Sequence, residues 1–241
     1  MFNINVYCHI TPLIAITCYL AYPKHLRINT DLLYKLSVAH NGVLVMFSAW
    51  TFGSLSCILY NKGIIFKSNY YFQNQQFDTI IYWFYISKYY EFIDTFLLYL
   101  NGKTPIFLQK YHHIGAVISW YLMYQYKVDM VWMASLLNSG VHTIMYSYYL
   151  GCLLKINNIR YIKRYITTMQ LTQFIVLYSN FYFYYPPIET WFNYGIITFF
   201  ATYGVGIIAL FAKFYYDSYI LKEKKEGYNK RVILLKVLRH I

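Results

Sequence analysis

Long runs of apolar residues alternate with short polar segments along the chain, and this pattern predicts helices that cross a membrane. About seven runs approach the length of about 20 residues that an α-helix needs to span a bilayer. Strands of a membrane barrel would be about half as long and would alternate in polarity, so we predict helices. The predicted spans are Val6 to Tyr22, Leu36 to Tyr60, Ile80 to Leu100, Phe107 to Tyr126, Met130 to Leu150, Ile166 to Tyr185 and Trp191 to Tyr216.

The composition agrees with a membrane protein built as a single domain. Hydrophobic residues make up 59% of the 241 positions and charged residues 12%, about half the charge of a soluble domain. No repeat and no stretch rich in Pro, Gly or Ser divides the chain, so residues 1–241 are predicted to form one polytopic domain. The cysteines lack metal-binding spacing and are predicted to be buried thiols; they are Cys8, Cys18, Cys57 and Cys152.

The net charge of +12 is distributed unevenly between the two ends of the spans. One set of loops contains only Lys62, Lys67 and Lys127, whereas the opposite loops and the basic tail, residues 222–241, contain the other basic residues apart from Lys88, which lies within a span. Cytosolic loops carry an excess of Lys and Arg, so we predict a cytosolic C-terminus and a lumenal N-terminus. This topology accounts for the basic charge, and no nucleic acid partner is expected.

Ionisable side chains interrupt the third span. An ionisable group inside a membrane is costly unless it is paired, so each one indicates a structural pair or a site. Lys88, Glu91 and Thr95 recur at i, i+3 and i+7 and share one helix face, with Asp94 beside it. An ion pair between helices and a polar wall lining a cavity both remain open.

The fourth span begins with two adjacent histidines. His112 and His113 follow Gln109 by about one turn. A neutral imidazole is a good nucleophile and a proton carrier near pH 7. A single histidine on an apolar face is usually a core residue, but two beside a glutamine favour a site.

Polar stripes also occur in the fifth and sixth spans, where Asn, His and Gln are common hydrogen-bonding residues between membrane helices. That structural role stays open for Asn138 and for the glutamines. Four consecutive spans with polar stripes nevertheless predict one chamber that is reached from the cytosol. The stripe residues are Asn138, His142, Met145 and Tyr149 in the fifth span, and Thr167, Gln170 and Gln173 in the sixth.

The motifs in these spans resemble those of the ELO family of very-long-chain fatty-acid elongases. Order and spacing agree from the second span to the seventh, including His40 and Asn41 and the sequence FAKFYYDSY. The family's histidine box is HxxHH, whereas this chain has Gln109 at the first position. The four main matches are KYYEFIDT from Lys88, YHH from Tyr111, NSGVHTIMYSYY from Asn138 and ITTMQLTQF from Ile166.

The resemblance implies condensation of an acyl-CoA with malonyl-CoA to a 3-oxoacyl-CoA, with release of CoA and carbon dioxide. We expect His112 to form an acyl-histidine intermediate, His142 or His113 to orient it or transfer a proton, and Asn138 and Gln109 to donate hydrogen bonds. The remaining residues are expected to bind substrate or shape the site; they are Lys88, Glu91, Asp94, Thr95, Met145, Tyr146, Tyr149, Gln170 and Gln173.

The resemblance also sets expectations for architecture and partners. Spans two to seven are expected to form a helical barrel around an acyl tunnel, within an elongase domain of about residues 30–222. We expect a multi-pass protein of the endoplasmic reticulum membrane with no cofactor and no metal, since its seven histidines are too few for a di-iron cage. Expected partners are membrane lipid and the ketoacyl reductase, dehydratase and enoyl reductase of the elongation cycle, and a homodimer is left open.

Three other interpretations compete with the elongase. A transporter would also explain charges within the membrane, but repeated halves and broken helices rich in Gly and Pro are not apparent. A receptor would rest on the number of spans alone. An elongase relative that lost catalysis through the exchange at Gln109 is disfavoured because His112 and His142 are both present.

Overall fold

The computed structural model describes residues 4–22, 26–65, 70–179 and 191–224, and these residues are helical with no strand. Short 3₁₀ turns occur at Tyr71–Gln73 and Ile159–Ile162, and a π-type turn at Tyr216–Ile220. The predicted all-helical class is therefore confirmed for these residues, and the basic tail beyond residue 224 lies outside them. The main helices are α1 (Ile4–Ala21), α2 (Thr30–Lys62), α3 (Gln75–Tyr90), α4 (Phe92–Leu100), α5 (Phe107–Gln125), α6 (Val131–Leu153), α7 (Lys163–Ser179) and α8 (Trp191–Tyr215).

Helix α2 extends beyond its predicted span because favourable capping residues lie at both of its ends. The Asn29 side chain accepts a hydrogen bond from the Asp31 backbone N–H at 2.8 Å, which satisfies one of the free donors of the first turn. At the other end Gly63 adopts a φ of 77°, which glycine reaches without a steric penalty.

The third predicted span is not one continuous helix, which corrects the prediction for Ile80 to Leu100. Helix α3 ends at Tyr90 and α4 begins at Phe92. At Glu91 the chain makes a tighter turn, in which the Asp94 backbone N–H donates to the Glu91 carbonyl at 3.1 Å. The segment contains no proline or glycine. The interruption lies at Glu91, whose buried carboxylate forms an ion pair with Lys88 at 2.7 Å.

Six helices contact one another in a closed order, which places a common interior between them. The order is α2, α3, α5, α8, α7 and α6, and α6 returns to α2. Helix α1 packs outside this ring against α5, where the Tyr19 ring stacks on Phe92 with centroids 4.2 Å apart. The ring agrees with the expected barrel, and a tunnel through it stays a prediction.

Apolar side chains cover much of the outer surface of the bundle. Within the described ranges, Thr30–Lys62 and Tyr194–Lys224 are long and apolar enough to cross a membrane, and Ile10–Ala21 is a shorter apolar helix. The full set of seven crossings and their orientation stay predictions. Cys18 and Cys57 are exposed on this outer surface, so the prediction of buried thiols is wrong for both. Their helix faces point away from the protein core, where lipid would cover them.

A buried carboxylate organises the chain between α2 and α3. Asp129 is 4% exposed and accepts hydrogen bonds from three consecutive backbone N–H groups, those of Tyr70, Tyr71 at 3.0 Å and Phe72 at 3.3 Å. Backbone donors that are buried without a partner are costly, so this carboxylate fixes the loop.

Candidate active site

Four side chains from α3, α6 and the turn at Glu91 form a closed hydrogen-bond circuit. Lys88 Nζ donates to Glu91 Oε1 and to Asn138 Oδ1, both at 2.7 Å. Asn138 Nδ2 lies 3.1 Å from His142 Nε2, and His142 Nδ1 lies 3.5 Å from Glu91 Oε1. All four side chains are buried, so the two charges compensate each other where water is scarce.

The circuit determines where the protons of His142 lie. Lys88 is only a donor, so the Asn138 oxygen must face it and the Asn138 amide N–H must face His142. His142 Nε2 is then the acceptor, and its Nδ1 carries the proton towards the Glu91 carboxylate. Both imidazole nitrogens of His142 thus face a polar partner, an arrangement suited to passing a proton to or from Glu91.

The two adjacent histidines of α5 point in different directions, as the helical rotation of about 100° per residue requires. His112 is half-buried and lines the interior cavity. His113 is 6% exposed and lies near the rings of Tyr19 and Phe92, with centroids 6.2 Å away in both cases. His112 is thus the histidine of the pair that a molecule in the cavity would meet.

The cavity lies between α5, α6, α7 and α8 of the helix ring, and its volume is about 30 Å³. Polar groups from His112, Asn138 and Gln173 line one part, and Gln173 Oε1 is buried with no hydrogen-bond partner among the described residues. The rest of the wall is mainly apolar, and it includes Trp120, Ala134, Leu137, Phe174, Leu177, Phe200 and Ala201.

Asp94 belongs to a second polar cluster, separate from the Lys88 circuit. Its Oδ1 lies 2.8 Å from His40 Nε2, and its Oδ2 accepts a hydrogen bond from the Tyr146 hydroxyl at 2.7 Å. The His40 ring also stacks on Tyr90 with centroids 5.1 Å apart. The sequence placed Asp94 beside the Lys88 face, and the structure shows that it ties α2 and α6 to α4 instead.

Thr95 connects Gln109 to the first helix rather than to His112. The Thr95 hydroxyl accepts a hydrogen bond from Gln109 Nε2 at 3.3 Å and lies 2.9 Å from the Tyr19 hydroxyl. The bond from Gln109 links α5 to α4. The expected hydrogen bond from Gln109 to a reacting oxygen stays a prediction, since the Gln109 amide carries a second hydrogen.

The remaining predicted site residues lie around these clusters. Gln170 Nε2 contacts Met145 Sδ at 3.0 Å, which joins α7 to α6. Tyr149 is 42% exposed and contacts the Tyr146 ring edge-on with centroids 6.0 Å apart, so it lies at the margin of the site.

Glu91, His112 and His142 are close enough to hold a metal ion, since one ligand atom from each lies within 4.8 Å of the others. Their surroundings fit a cation poorly. The Lys88 ammonium already lies 2.7 Å from the Glu91 carboxylate, and its charge would repel a divalent ion. The expected absence of a metal stays a prediction.

Sequence reasoning missed Tyr203, which contacts His112 from α8. Its hydroxyl lies 3.3 Å from His112 Nδ1 and donates to the His112 carbonyl at 3.0 Å. The chain has 31 tyrosines, so residue type alone gave no signal for this one.

Comparisons with known proteins give a consistent set of relatives. The sequence model of the "ELO: GNS1/SUR4 family" matches residues 3–227. The chain is 34% identical over 152 residues to "Fatty acid elongase sre1" of Dictyostelium discoideum, covering 61% of this chain and 55% of that protein. It is 29% identical over 222 residues to "Very long chain fatty acid elongase 5" of Tachysurus fulvidraco, covering 85% and 71%. The Xenopus laevis protein of the same name is 31% identical over 196 residues, covering 77% and 65%.

The alignments thus span between about half and 71% of the length of these relatives. No solved structure matches the chain.

Proposed function

This chain belongs to the ELO family, and from that membership we propose that it is a fatty-acid elongase that condenses an acyl-CoA with malonyl-CoA. The products would be a 3-oxoacyl-CoA, free CoA and carbon dioxide. The relatives named as elongases support the activity class.

The observation that carries the proposal is the position of His112. It lies on the wall of a mainly apolar cavity, next to a buried circuit that contains Glu91 and His142. An apolar chamber suits an acyl chain, and an imidazole at its polar end suits attack on a thioester. A helix pair held only by polar contacts would not require such a chamber.

The reaction would proceed in two acyl transfers. His112 Nε2 attacks the thioester carbonyl carbon, the carbon–sulfur bond breaks, and CoA leaves as its thiolate while the acyl-imidazolium forms with the proton still on Nδ1. Malonyl-CoA then loses carbon dioxide, and the electron pair of the broken carbon–carbon bond forms its enolate. The enolate carbon attacks the acyl carbon, a new carbon–carbon bond forms, and the bond to His112 breaks.

Nearby side chains would assist these steps. Asn138 Nδ2 carries two hydrogens, of which one is directed to His142, so the second is free to donate to an oxyanion. The unpaired amide oxygen of Gln173 offers a hydrogen-bond acceptor on the same wall. His142 would transfer protons with Glu91 as its counter-ion, while Lys88 holds Glu91 in place.

The acyl tail would occupy the apolar part of the cavity. Trp120 follows His112 by eight residues on α5, which places it about 12 Å farther along the helix axis. Trp120 is held there because its indole N–H donates to Ser135 at 2.9 Å. It therefore forms one limit of the space available to the tail.

We further propose the endoplasmic reticulum membrane as the location, with the C-terminus in the cytosol. The supply of acyl-CoA and malonyl-CoA from the cytosol would then meet the polar end of the chamber. The reductases and the dehydratase that complete an elongation cycle are the proposed partners.

The test is condensation by the purified protein with radiolabelled malonyl-CoA and acyl-CoA substrates of increasing length. We expect labelled 3-oxoacyl-CoA from the native chain and none from His112→Ala. Trp83→Phe is the matched control, because Trp83 is 50% exposed on the outer surface. Absence of product at every length from folded native protein would refute the proposal, and substrate movement without condensation would favour a transporter.

A further inference from the structure

The single hydroxyl group of Tyr203 contacts two atoms of His112. It projects from α8, is 7% exposed, and places its oxygen 3.0 Å from the His112 carbonyl oxygen and 3.3 Å from His112 Nδ1. Among the described residues, Tyr203 is the hydrogen-bond partner of the His112 ring.

Counting hydrogens fixes the direction of both bonds. A tyrosine hydroxyl has one hydrogen, and a carbonyl oxygen is only an acceptor, so that hydrogen goes to the His112 carbonyl. The tyrosine oxygen then has only lone pairs to offer to the imidazole. His112 Nδ1 must therefore carry the ring proton, which leaves the lone pair of the ring on Nε2.

The packing around Tyr203 holds its ring in one place. The ring lies directly over Gly115 of α5, where any side chain would collide with it. Tyr111 stacks on it with centroids 5.5 Å apart and planes inclined by 30°. Helices α5 and α8 also contact each other along this seam. A ring fixed on both sides gives the hydroxyl a defined position relative to His112.

We propose that Tyr203 is a positioning residue that holds His112 in the Nδ1–H tautomer and directs its Nε2 towards the cavity. The kinetic consequence rests on the proposed elongase function, whereas the tautomer does not. The other groups around the imidazole are Glu91 and His142, each with a polar atom within 4.8 Å of a ring nitrogen, and Phe174, whose ring centroid lies 6.1 Å away. Among the described residues, Tyr203 is the group in hydrogen-bond contact with the His112 ring.

A direct test reads the tautomer by ¹⁵N NMR of the detergent-solubilised full chain labelled at histidine. The His112 resonances are assigned by their loss in His112→Gln. We expect a protonated Nδ1 and an unprotonated Nε2 in the native protein, and a shift to a mixture or to the Nε2–H form in Tyr203→Phe. Thr202→Val is the control, because its exposed hydroxyl bonds only to the Thr198 carbonyl of its own helix. An unchanged His112 tautomer in Tyr203→Phe would overturn the proposal.

A kinetic test separates positioning from substrate binding. With acyl-CoA and no malonyl-CoA, release of one CoA per protein reports formation of the acyl-histidine. We expect Tyr203→Phe to slow this release about 10²-fold, as small misplacements of a nucleophile do, while the acyl-CoA concentration for half-maximal rate changes less than threefold. Gly115→Ala, which displaces the ring but retains the hydroxyl, should act in the same direction.

The two failures are distinguishable. No release of CoA by the native protein would refute the proposed elongation, and the NMR result would still decide the tautomer. Normal release by Tyr203→Phe, with the native protein active, would refute the positioning role while leaving the elongase intact.

Discussion

Replacing Lys88 with methionine removes the cation that compensates Glu91 inside the bundle. Lys88 is 1% exposed and Glu91 3% exposed, and Lys88 Nζ makes two hydrogen bonds of 2.7 Å, to Glu91 and to Asn138. Breaking a buried pair from one side costs about 3–5 kcal/mol, because the other charge stays buried without a partner. Methionine keeps the length of the side chain, so the loss is mainly electrostatic.

The double substitution Lys88→Met with Glu91→Gln removes both charges and should cost less than the sum of the two single substitutions. A neutral glutamine leaves no uncompensated charge, so we expect the two changes to be non-additive by about 1–3 kcal/mol. Unfolding of the four proteins in one detergent, followed by tryptophan fluorescence against denaturant, measures the difference. The control is Lys35→Met, since Lys35 pairs with Asp31 at 2.7 Å but is 69% exposed, and such pairs contribute little. Additive losses in the cycle would refute the argument from uncompensated charge.

Three further predictions concern the space for the acyl tail, the loop between α2 and α3, and Gln109 in the histidine box. Trp120→Leu should move the best acyl-CoA length upward in a length series, while the outer-surface change Trp83→Leu leaves it unaltered. Asp129→Ala should lower the free energy of unfolding by about 1–3 kcal/mol, because three backbone N–H groups lose their acceptor. Turnover per folded molecule should not change. Gln109→Leu should lower the free energy of unfolding by about 1 kcal/mol, since one hydrogen bond to Thr95 is lost, whereas Gln109→His should retain it.

Contacts within one helical turn could be predicted from the sequence. Lys88 and Glu91 are three residues apart and Asn138 and His142 are four apart, and the structure joins both pairs by direct contacts. Helical geometry places such residues side by side whatever the rest of the chain does. The two interpretations left open for the third span, a structural ion pair and a polar wall of a site, are compatible with each other. Lys88 and Glu91 form an ion pair, and the same Glu91 carboxylate faces His142.

Contacts between distant segments could not be predicted, because they depend on which helix packs beside which. Lys88 contacts Asn138, which is 50 residues away in the sequence, and Tyr203 contacts His112, which is 91 residues away. The contact of Gln109 with Thr95 likewise joins two helices and had no signal in the sequence. Spacing gives the direction of a side chain from its own helix axis, but only the packed bundle determines what lies in that direction.

The packed bundle also assigns different tasks to histidines that the sequence treats as similar. His40 is bonded to Asp94, both nitrogens of His142 are engaged in the Lys88 circuit, and His113 faces the first helix. Of these four histidines, only His112 lies on the cavity wall, and its ring is hydrogen-bonded at Nδ1. A nucleophile needs a free lone pair and access to the substrate, and the other three imidazoles each lack one of these. The proposal that His112 is the nucleophile therefore rests on where the other hydrogen bonds go as much as on its place in the histidine box.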